Sequence, residues 1–348
     1  MELLKEMSIS GHENVLFCND GNTGLKAIIA IHSTKLGPSL GGTRMWHYSN
    51  EQEAINDVLR LSRGMTYKSA LANLPLGGGK AVIIGNSRKH KSKEFFHAFG
   101  NFINRLNGSY ISAEDVGITT QDIKWMSQKT KYVTGKPIED GGGGDPSPIT
   151  AYGVYIGMKA AAKEQYGNDS LYGKTILVQG CGHVGSYLIE YLLKEGAKVK
   201  VTDIFQDKAE TLIKKHTEIT LVDPNRIYSE AMDIYAPCAL GGTINSESIP
   251  LLKCNIIAGA ANNQLLNEEV HGELLRKKGI LYAPDYLINS GGIINCYSEL
   301  GTYNKKDVMK KTEEIFLTAN QVFKTSIKEN MPTYLAANNL AESRFLNK

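Results

Sequence analysis

Two lysines, Lys68 and Lys80, stand twelve residues apart in RGMTYKSALANLPLGGGKAVIIGN, and the second follows three consecutive glycines, Gly77, Gly78 and Gly79. A glycine run before a lysine suggests a phosphate-binding loop. That motif needs a glycine five residues before its Gly-Lys pair and a Ser or Thr after the lysine. This chain has Leu74 and Ala81 there, so the phosphate loop is excluded. Three glycines instead let the backbone crowd Lys80 and keep water away. Water-poor surroundings and a second ammonium nearby both lower the proton affinity of an amine, as a lysine base working at neutral pH requires. Asp115, in ISAEDVGIT, falls between a strand pattern and a helix pattern, where a carboxylate points into a cleft. One cation to bind a substrate carboxylate, another to activate water, and a carboxylate to carry a proton make a coherent catalytic set.

A second set lies in VQGCGHVGSYL, where Gly180, Gly182 and Gly185 form a GxGxxG pattern. The pattern alone is weak, but here an apolar strand ends at Gln179 and an amphipathic helix starts near His183. The first glycine makes the turn, the second admits the pyrophosphate, and the third allows helix and strand to touch. The amide groups of Cys181, Gly182, His183 and Val184 then face the phosphates at the helix N-terminus. Asp203 ends the next strand 18 residues after Gly185, where a carboxylate accepts from ribose hydroxyls and repels a 2′-phosphate. The expected cofactor is NAD. His183 has no partner residues for metal binding and reads as a loop residue near the phosphates.

The elements that must hold these groups follow from periodicity. Segment 25–33 (LKAIIAIHS) reads as a buried strand, and 49–66 as an amphipathic helix, with Ser49 and Gln52 at capping-box spacing. Strands at 80–85 and 109–114 flank a helix near 91–106. Segment 135–148 (GKPIEDGGGGDPSP) is too rich in glycine and proline for helix or strand and reads as a hinge. Beyond it a helix at 148–166 precedes strands at 174–179, 198–203, 233–236, 255–259 and 280–282. Helices at 184–195, 207–216 and 267–278 lie between them. Such alternation predicts an α/β fold with a Rossmann-type, doubly wound parallel sheet. The stretch 305–346 reads as helical, broken at Pro332. The expected domains are 1–147, carrying the lysines; 148–325, binding the nucleotide; and a C-terminal helical segment, 326–348, packing back on the first.

Bulk properties narrow the class. At 348 residues, 42% hydrophobic and 22% charged, the chain reads as a soluble two-domain protein. A net charge of +3, with basic residues scattered among acidic ones, argues against nucleic acid. No apolar run approaches the roughly 20 residues that span a bilayer, and the polar N-terminus is no signal peptide. Cys18, Cys181, Cys238, Cys254 and Cys296 are odd in number and never at zinc spacing. They read as free thiols in a cytoplasmic protein without a metal site.

Several blocks carry a family resemblance: LGPSLGGTRMW (36–46), LSRGMTYKSALANLPLGGGKAVIIGN (61–86), AEDVG (113–117) and DPSPITAYGVY (145–155). PCALGG (237–242), GAANNQL (259–265) and YAPDYLINSGGIIN (282–295) extend it over nearly the whole chain. The sequence resembles the leucine, valine and phenylalanine dehydrogenases of the glutamate dehydrogenase superfamily. The resemblance implies an N-terminal α/β substrate domain and an NAD domain with a cleft between them, in a homo-oligomer, dimeric or octameric. It assigns the substrate carboxylate to Lys68, catalysis to Lys80, and the amino-group proton to Asp115. It sets Gly41, Gly42 and Met65 at the substrate, and Thr150, Ala239 and Asn262 at the cofactor. The side-chain pocket it implies is lined by Leu40, Ala113, Thr134, Ile293 and Cys296. None carries a charge for a glutamate side chain.

The activity so implied is reversible NAD-dependent oxidative deamination of an apolar L-amino acid to a 2-oxo acid and ammonia. Leu40 and Ala113 match the leucine enzymes, whereas GHENVLFC and KGILYAPDY also resemble tryptophan and phenylalanine dehydrogenases. Two readings of other classes stand beside it. One is an NAD-responsive binding protein, which the intact Lys68, Lys80 and Asp115 oppose. The other is a 2-hydroxy-acid dehydrogenase, which needs a His–acid pair. Cys181 and His183 depart from the family, where Val or Leu and Asn are usual, as does Asn86-Ser87, where an acid or amide followed by proline is usual.

Overall fold

The computed structural model describes residues 2–346. The chain divides into two compact units, each with its own sheet. The first runs through Asp145 and also includes Asn295–Lys305 and the residues from Ala341 onward; the second holds Pro146–Ile294 and Lys306–Leu340.

The first unit begins with α1 (Leu3–Ser10), β1 (Asn14–Asp20), β2 (Leu25–Ser33), β3 (Ser39–Trp46) and α2 (Glu51–Leu71). It continues with β4 (Gly77–Ile84), α3 (Lys93–Arg105), β5 (Tyr110–Glu114) and α4 (Thr120–Ser127). The sheet order is β1-β2-β4-β3-β5; β1 and β4 run antiparallel to β2, whereas β3 runs parallel to β4 and β5. The central strands are apolar on both faces because helices cover both. Ile29, Ile31, Ala81 and Ile83 pack with Phe96, Phe99 and Ile103 of α3, and Ile28, Ala30 and Val82 with Val58 and Leu59 of α2. Helix α2 starts one residue later than the spacing of Ser49 and Gln52 suggests. Its N-cap is Asn50, whose side chain accepts from the Glu53 amide, while the Glu53 carboxylate accepts from the Ser49 amide.

The second unit comprises α5 (Ser147–Tyr166), β6 (Thr175–Gln179), α6 (His183–Lys194), β7 (Lys198–Thr202), α7 (Gln206–Lys215), β8 (Thr220–Leu221) and β9 (Ile234–Pro237). Then come α8 (Ser248–Leu251), β10 (Ile256–Ile257), α9 (Glu268–Lys278), β11 (Leu281–Tyr282) and α10 (Asp285–Ile288). Helix α11 (Gly291–Ser298) divides between the units; α12 (Lys305–Lys328) and α13 (Thr333–Phe345) end the described chain, with Pro332 between them. The sheet is all parallel, in the order β11-β10-β9-β6-β7-β8. The order reverses between β6 and β9, which makes the C-terminal ends of those strands the switch point where open α/β sheets bind ligands. Among the described residues no helix is long and apolar enough to cross a membrane.

Candidate active site

In the first unit the three parallel strands β4, β3 and β5 lie side by side. Lys80 pairs in register with Ala30, whose side chain packs toward α2, so Lys80 also faces α2. Gly42 pairs with Ala113, and Leu40 pairs with Gly78 and Ile111. Lys80 is only 6% exposed, yet its ammonium has a partner. Its Nζ lies 2.5 Å from Oδ2 of Asp115, just beyond the end of β5.

The glycines explain the closeness of this packing. A Cβ on Gly78 would stand 2.0 Å from the Thr66 amide nitrogen, so α2 rests directly on β4. One on Gly41 would meet the Gly79 carbonyl oxygen at 1.7 Å and Met65 Cγ at 3.3 Å. One on Gly42 would meet the Glu114 carbonyl oxygen at 2.4 Å and Asp115 Cβ at 2.9 Å. The Gly41 carbonyl accepts from the buried Tyr110 hydroxyl at 2.7 Å, which fixes the Gly41–Gly42 peptide. Lys68 sits half-buried in the last turn of α2, three residues beyond Met65.

Asp115 is held by more than Lys80. Arg44 Nε lies 3.3 Å from the same Oδ2, and Arg44 Nη1 lies 3.1 Å from Asp57 on α2. Asp57 in turn accepts from the Tyr48 hydroxyl at 2.8 Å and pairs with Arg60. Burial would raise the proton affinity of Asp115, but the charges of Lys80 and Arg44 outweigh it and hold the carboxyl below its ordinary value. Arg44 and Asp57 were not singled out from the sequence. Arg44 falls in the quoted block LGPSLGGTRMW, but only the fold shows that it reaches Asp115.

Of the expected pocket residues, Leu40, Ala113, Thr134 and Cys296 belong to the first unit and Ile293 to the second, where all five are buried. Thr134 pairs through its amide with the Ser112 carbonyl, and its side chain lies against the Cys296 thiol. Burial pushes that thiol up to about 12, so it is a neutral wall at physiological pH.

In the second unit Gly180, Asp203, Ala239 and Asn262 follow the C-terminal ends of β6, β7, β9 and β10, four adjacent strands. Gly180 has φ +107°, and a Cβ there would meet Ala239 at 2.9 Å. Around Gly182 a Cβ would find open space, whereas at Gly185 it would stand 2.0 Å from the Gly180 carbonyl oxygen. The three glycines therefore serve turn, access and close packing, in that order. Gly182 is the N-cap of α6 and makes no side-chain cap, which leaves first-turn amides such as those of His183 and Val184 to a ligand. His183 is exposed, and Cys181 is buried with its thiol raised to about 12 by burial first and by Asp203 and Cys238 next. Asp203 Oδ2 accepts from the Cys181 amide at 2.7 Å and Oδ1 from the Phe205 amide at 2.8 Å. Its carboxylate thus braces the glycine turn as well as charging it. Thr150 lies in the first turn of α5, and a Cβ on Gly292 would meet its Oγ1 at 2.8 Å. The residues present fit a dinucleotide: an open glycine turn, uncapped amides and an acid at the next strand end.

The family described as "Glu/Leu/Phe/Val dehydrogenase, dimerisation domain" matches residues 12–132, and "Glutamate/Leucine/Phenylalanine/Valine dehydrogenase" matches 141–203 and 200–347. The chain belongs to the Glu/Leu/Phe/Val amino-acid dehydrogenase family. It is 55% identical to leucine dehydrogenase of Geobacillus stearothermophilus over 344 residues, covering 99% of this chain and 93% of that one. The crystal structure of L-tryptophan dehydrogenase from Nostoc punctiforme is similar at TM-score 0.87 and 46% identity, with 99% of both chains covered. A hetero-hexameric glutamate dehydrogenase from Thermus thermophilus shares the fold at TM-score 0.78 and 21% identity, covering 99% of this chain and 93% of that one. The expected α/β architecture and enzyme class are both borne out. The family's chemistry is that of an amino-acid dehydrogenase, so the hydroxy-acid and non-catalytic readings lose their footing.

Proposed function

We propose that this enzyme oxidatively deaminates branched-chain L-amino acids, leucine first, with NAD, and works as a homo-oligomer in the cytoplasm. The observation that carries the chemistry is the contact of buried Lys80 with Asp115, 2.5 Å long, beside the Gly41–Gly42 peptide.

The roles are those the family resemblance implies. Lys68 and the Gly41–Gly42 backbone hold the substrate carboxylate. Arg44 and Lys80 both approach Oδ2 of Asp115, so Oδ1 is the oxygen offered to the substrate ammonium, from which it takes a proton. Bound at the Gly180–Gly185 turn, the nicotinamide cofactor supplies the acceptor for the hydride that leaves Cα. Lys80 first releases its ammonium proton to solvent, and its neutral Nζ then draws a proton from the water that attacks the resulting iminium carbon. The short contact to Asp115 gives that proton a path between the two groups. Collapse of the carbinolamine releases ammonia and the 2-oxo acid. Cations around the site stabilise the anionic oxygens that form along this route.

Leu40 and Ala113 support the substrate choice. Both are fully buried on neighbouring strands, a branched wall beside a small one, which suits a four-carbon side chain. Asp203 supports NAD, because a carboxylate at the ribose repels a 2′-phosphate. The test compares kcat/KM for leucine, isoleucine and valine with that for phenylalanine and tryptophan, in the native enzyme and in Leu40→Ala. Branched-chain substrates should lead in the native enzyme, and Leu40→Ala should shift the balance toward aromatics by about 1–3 kcal/mol. Faster turnover of an aromatic by the native enzyme would refute the assignment of these walls.

A further inference from the structure

Behind the exposed Asn262 lies a buried amide, Asn289, 4% exposed, immediately after α10. Asn289 Nδ2 donates to the Ala260 carbonyl at 3.1 Å and to Asn262 Oδ1 at 2.8 Å. A backbone carbonyl can only accept, so the contact with Ala260 decides which end of the Asn289 amide faces the loop. The second hydrogen of that same nitrogen then obliges Asn262 to present its oxygen inward. Its NH2 group must turn the other way, toward the exposed side of the loop.

The rest of the 259–264 loop is braced in the same manner. Gln264 Nε2 donates to the carbonyls of Gly259 and Ala261, and the Gln264 amide donates to Asp285. Three successive carbonyls are thus tied down by two buried side-chain amides. That is a large polar investment for one loop unless an exposed residue on it must be aimed. Asn289 Oδ1 has no hydrogen-bond partner among the described residues. The side chain therefore accepts an unsatisfied oxygen as the consequence of pointing its donors at Ala260 and Asn262.

We propose that Asn289 is a positioning residue that fixes Asn262 as a hydrogen-bond donor, so that this loop recognises the carbonyl oxygen of a nicotinamide carboxamide. The proposal rests on the reading that the second unit binds a nicotinamide dinucleotide, with Asn262 at the cofactor as the family resemblance implies. It adds the atom that does the reading and the residue that orients it.

The full-length enzyme is titrated with NADH by fluorescence and with ADP-ribose by calorimetry, as the native protein and as Asn289→Ala, Asn262→Ala and the double variant. ADP-ribose occupies the glycine turn but carries no carboxamide. Each single variant should weaken NADH about tenfold, the size of one lost hydrogen bond, and leave ADP-ribose within about twofold. The double variant should bind NADH no worse than Asn262→Ala, because Asn289 acts through Asn262. Asn289→Asp keeps the shape without the donor and should weaken NADH at least as much, again with ADP-ribose retained. Unchanged NADH affinity in Asn289→Ala overturns the proposal, as do multiplying losses in the double variant or a parallel loss of ADP-ribose in both position-289 variants. Failure of the native enzyme to bind NADH would overturn the cofactor reading beneath it instead.

Discussion

Oδ2 of Asp115 receives two cations, Lys80 Nζ at 2.5 Å and Arg44 Nε at 3.3 Å, which arrive from neighbouring strands. In the proposed mechanism this pairing ties the base, Lys80, to its proton relay. It also makes Lys80 the residue whose removal should be most damaging. Lys80→Ala should lower kcat by at least about 10²-fold, the usual cost of losing a general acid–base group, while NADH affinity, which the proposed function assigns to the second unit, stays near the native value. Residual activity above about a tenth would mean that Lys80 is structural.

Arg44 gives a pH signature. Burial raises the proton affinity of Asp115, and Lys80 and Arg44 together reverse that effect. Removing one of the two cations must therefore move the carboxyl upward. In Arg44→Ala the acidic limb of the kcat/KM profile should shift to higher pH, and Arg44→Lys should restore part of the shift. The same sign governs stability: a carboxyl held below its ordinary value favours the folded state at neutral pH, and this contribution is lost as pH falls through the folded value. An acidic limb that stays in place in Arg44→Ala would show that Arg44 does not act on Asp115.

Gly78 tests the packing of α2, the helix that carries Met65 and Lys68. A Cβ there would stand 2.0 Å from the Thr66 amide nitrogen and 2.3 Å from its Oγ1. Since the obstacle is backbone, the helix has to move. Gly78→Ala should destabilise the first unit by about 3 kcal/mol, the upper part of the overpacking range, read from the shift in urea midpoint. A change below about 0.5 kcal/mol would contradict the close approach.

The sequence made the second sheet more legible than the first, for physical reasons. Alternating strands and helices with glycine punctuation give a strong period through β6, β7, β9, β10 and β11, whereas the two-residue β8 carries no such signal. In contrast, β3 (Ser39–Trp46) contains Gly41 and Gly42 and carries no strand pattern of its own, and it becomes a strand because β4 and β5 pair with it on both sides. Edge strand β1 (Asn14–Asp20) has only the β2 side to pair with, and its burial is patchy. Helix α11 begins with Gly291 and Gly292, poor helix formers that the packing requires, since a Cβ on Gly291 would stand 2.2 Å from the Ile149 carbonyl oxygen. Lys68, Lys80 and Asp115 were visible as residue types in a glycine-rich setting. Arg44 and Asn289 were not, because each works only through a partner distant in sequence.

Asp203 both charges and braces the glycine turn, so its two effects need separating. The native enzyme should have the higher kcat/KM with NAD than with NADP. Asp203→Asn removes the charge but keeps an oxygen for the Cys181 amide, and should narrow the preference about tenfold, or ~1.4 kcal/mol. Asp203→Ala should narrow it too but also weaken NAD itself, because the turn loses its brace. Equal use of NADP by the native enzyme would remove the assignment.

The most direct test of the whole account is stoichiometry. Native enzyme incubated with L-leucine and NAD is stopped at intervals, and NADH, ammonia and the 2-oxo acid are measured in the same samples. The account requires all three in equal amounts, formed at least about 10²-fold more slowly in Lys80→Ala. NADH formed without ammonia, or no NADH from any apolar L-amino acid, would contradict it.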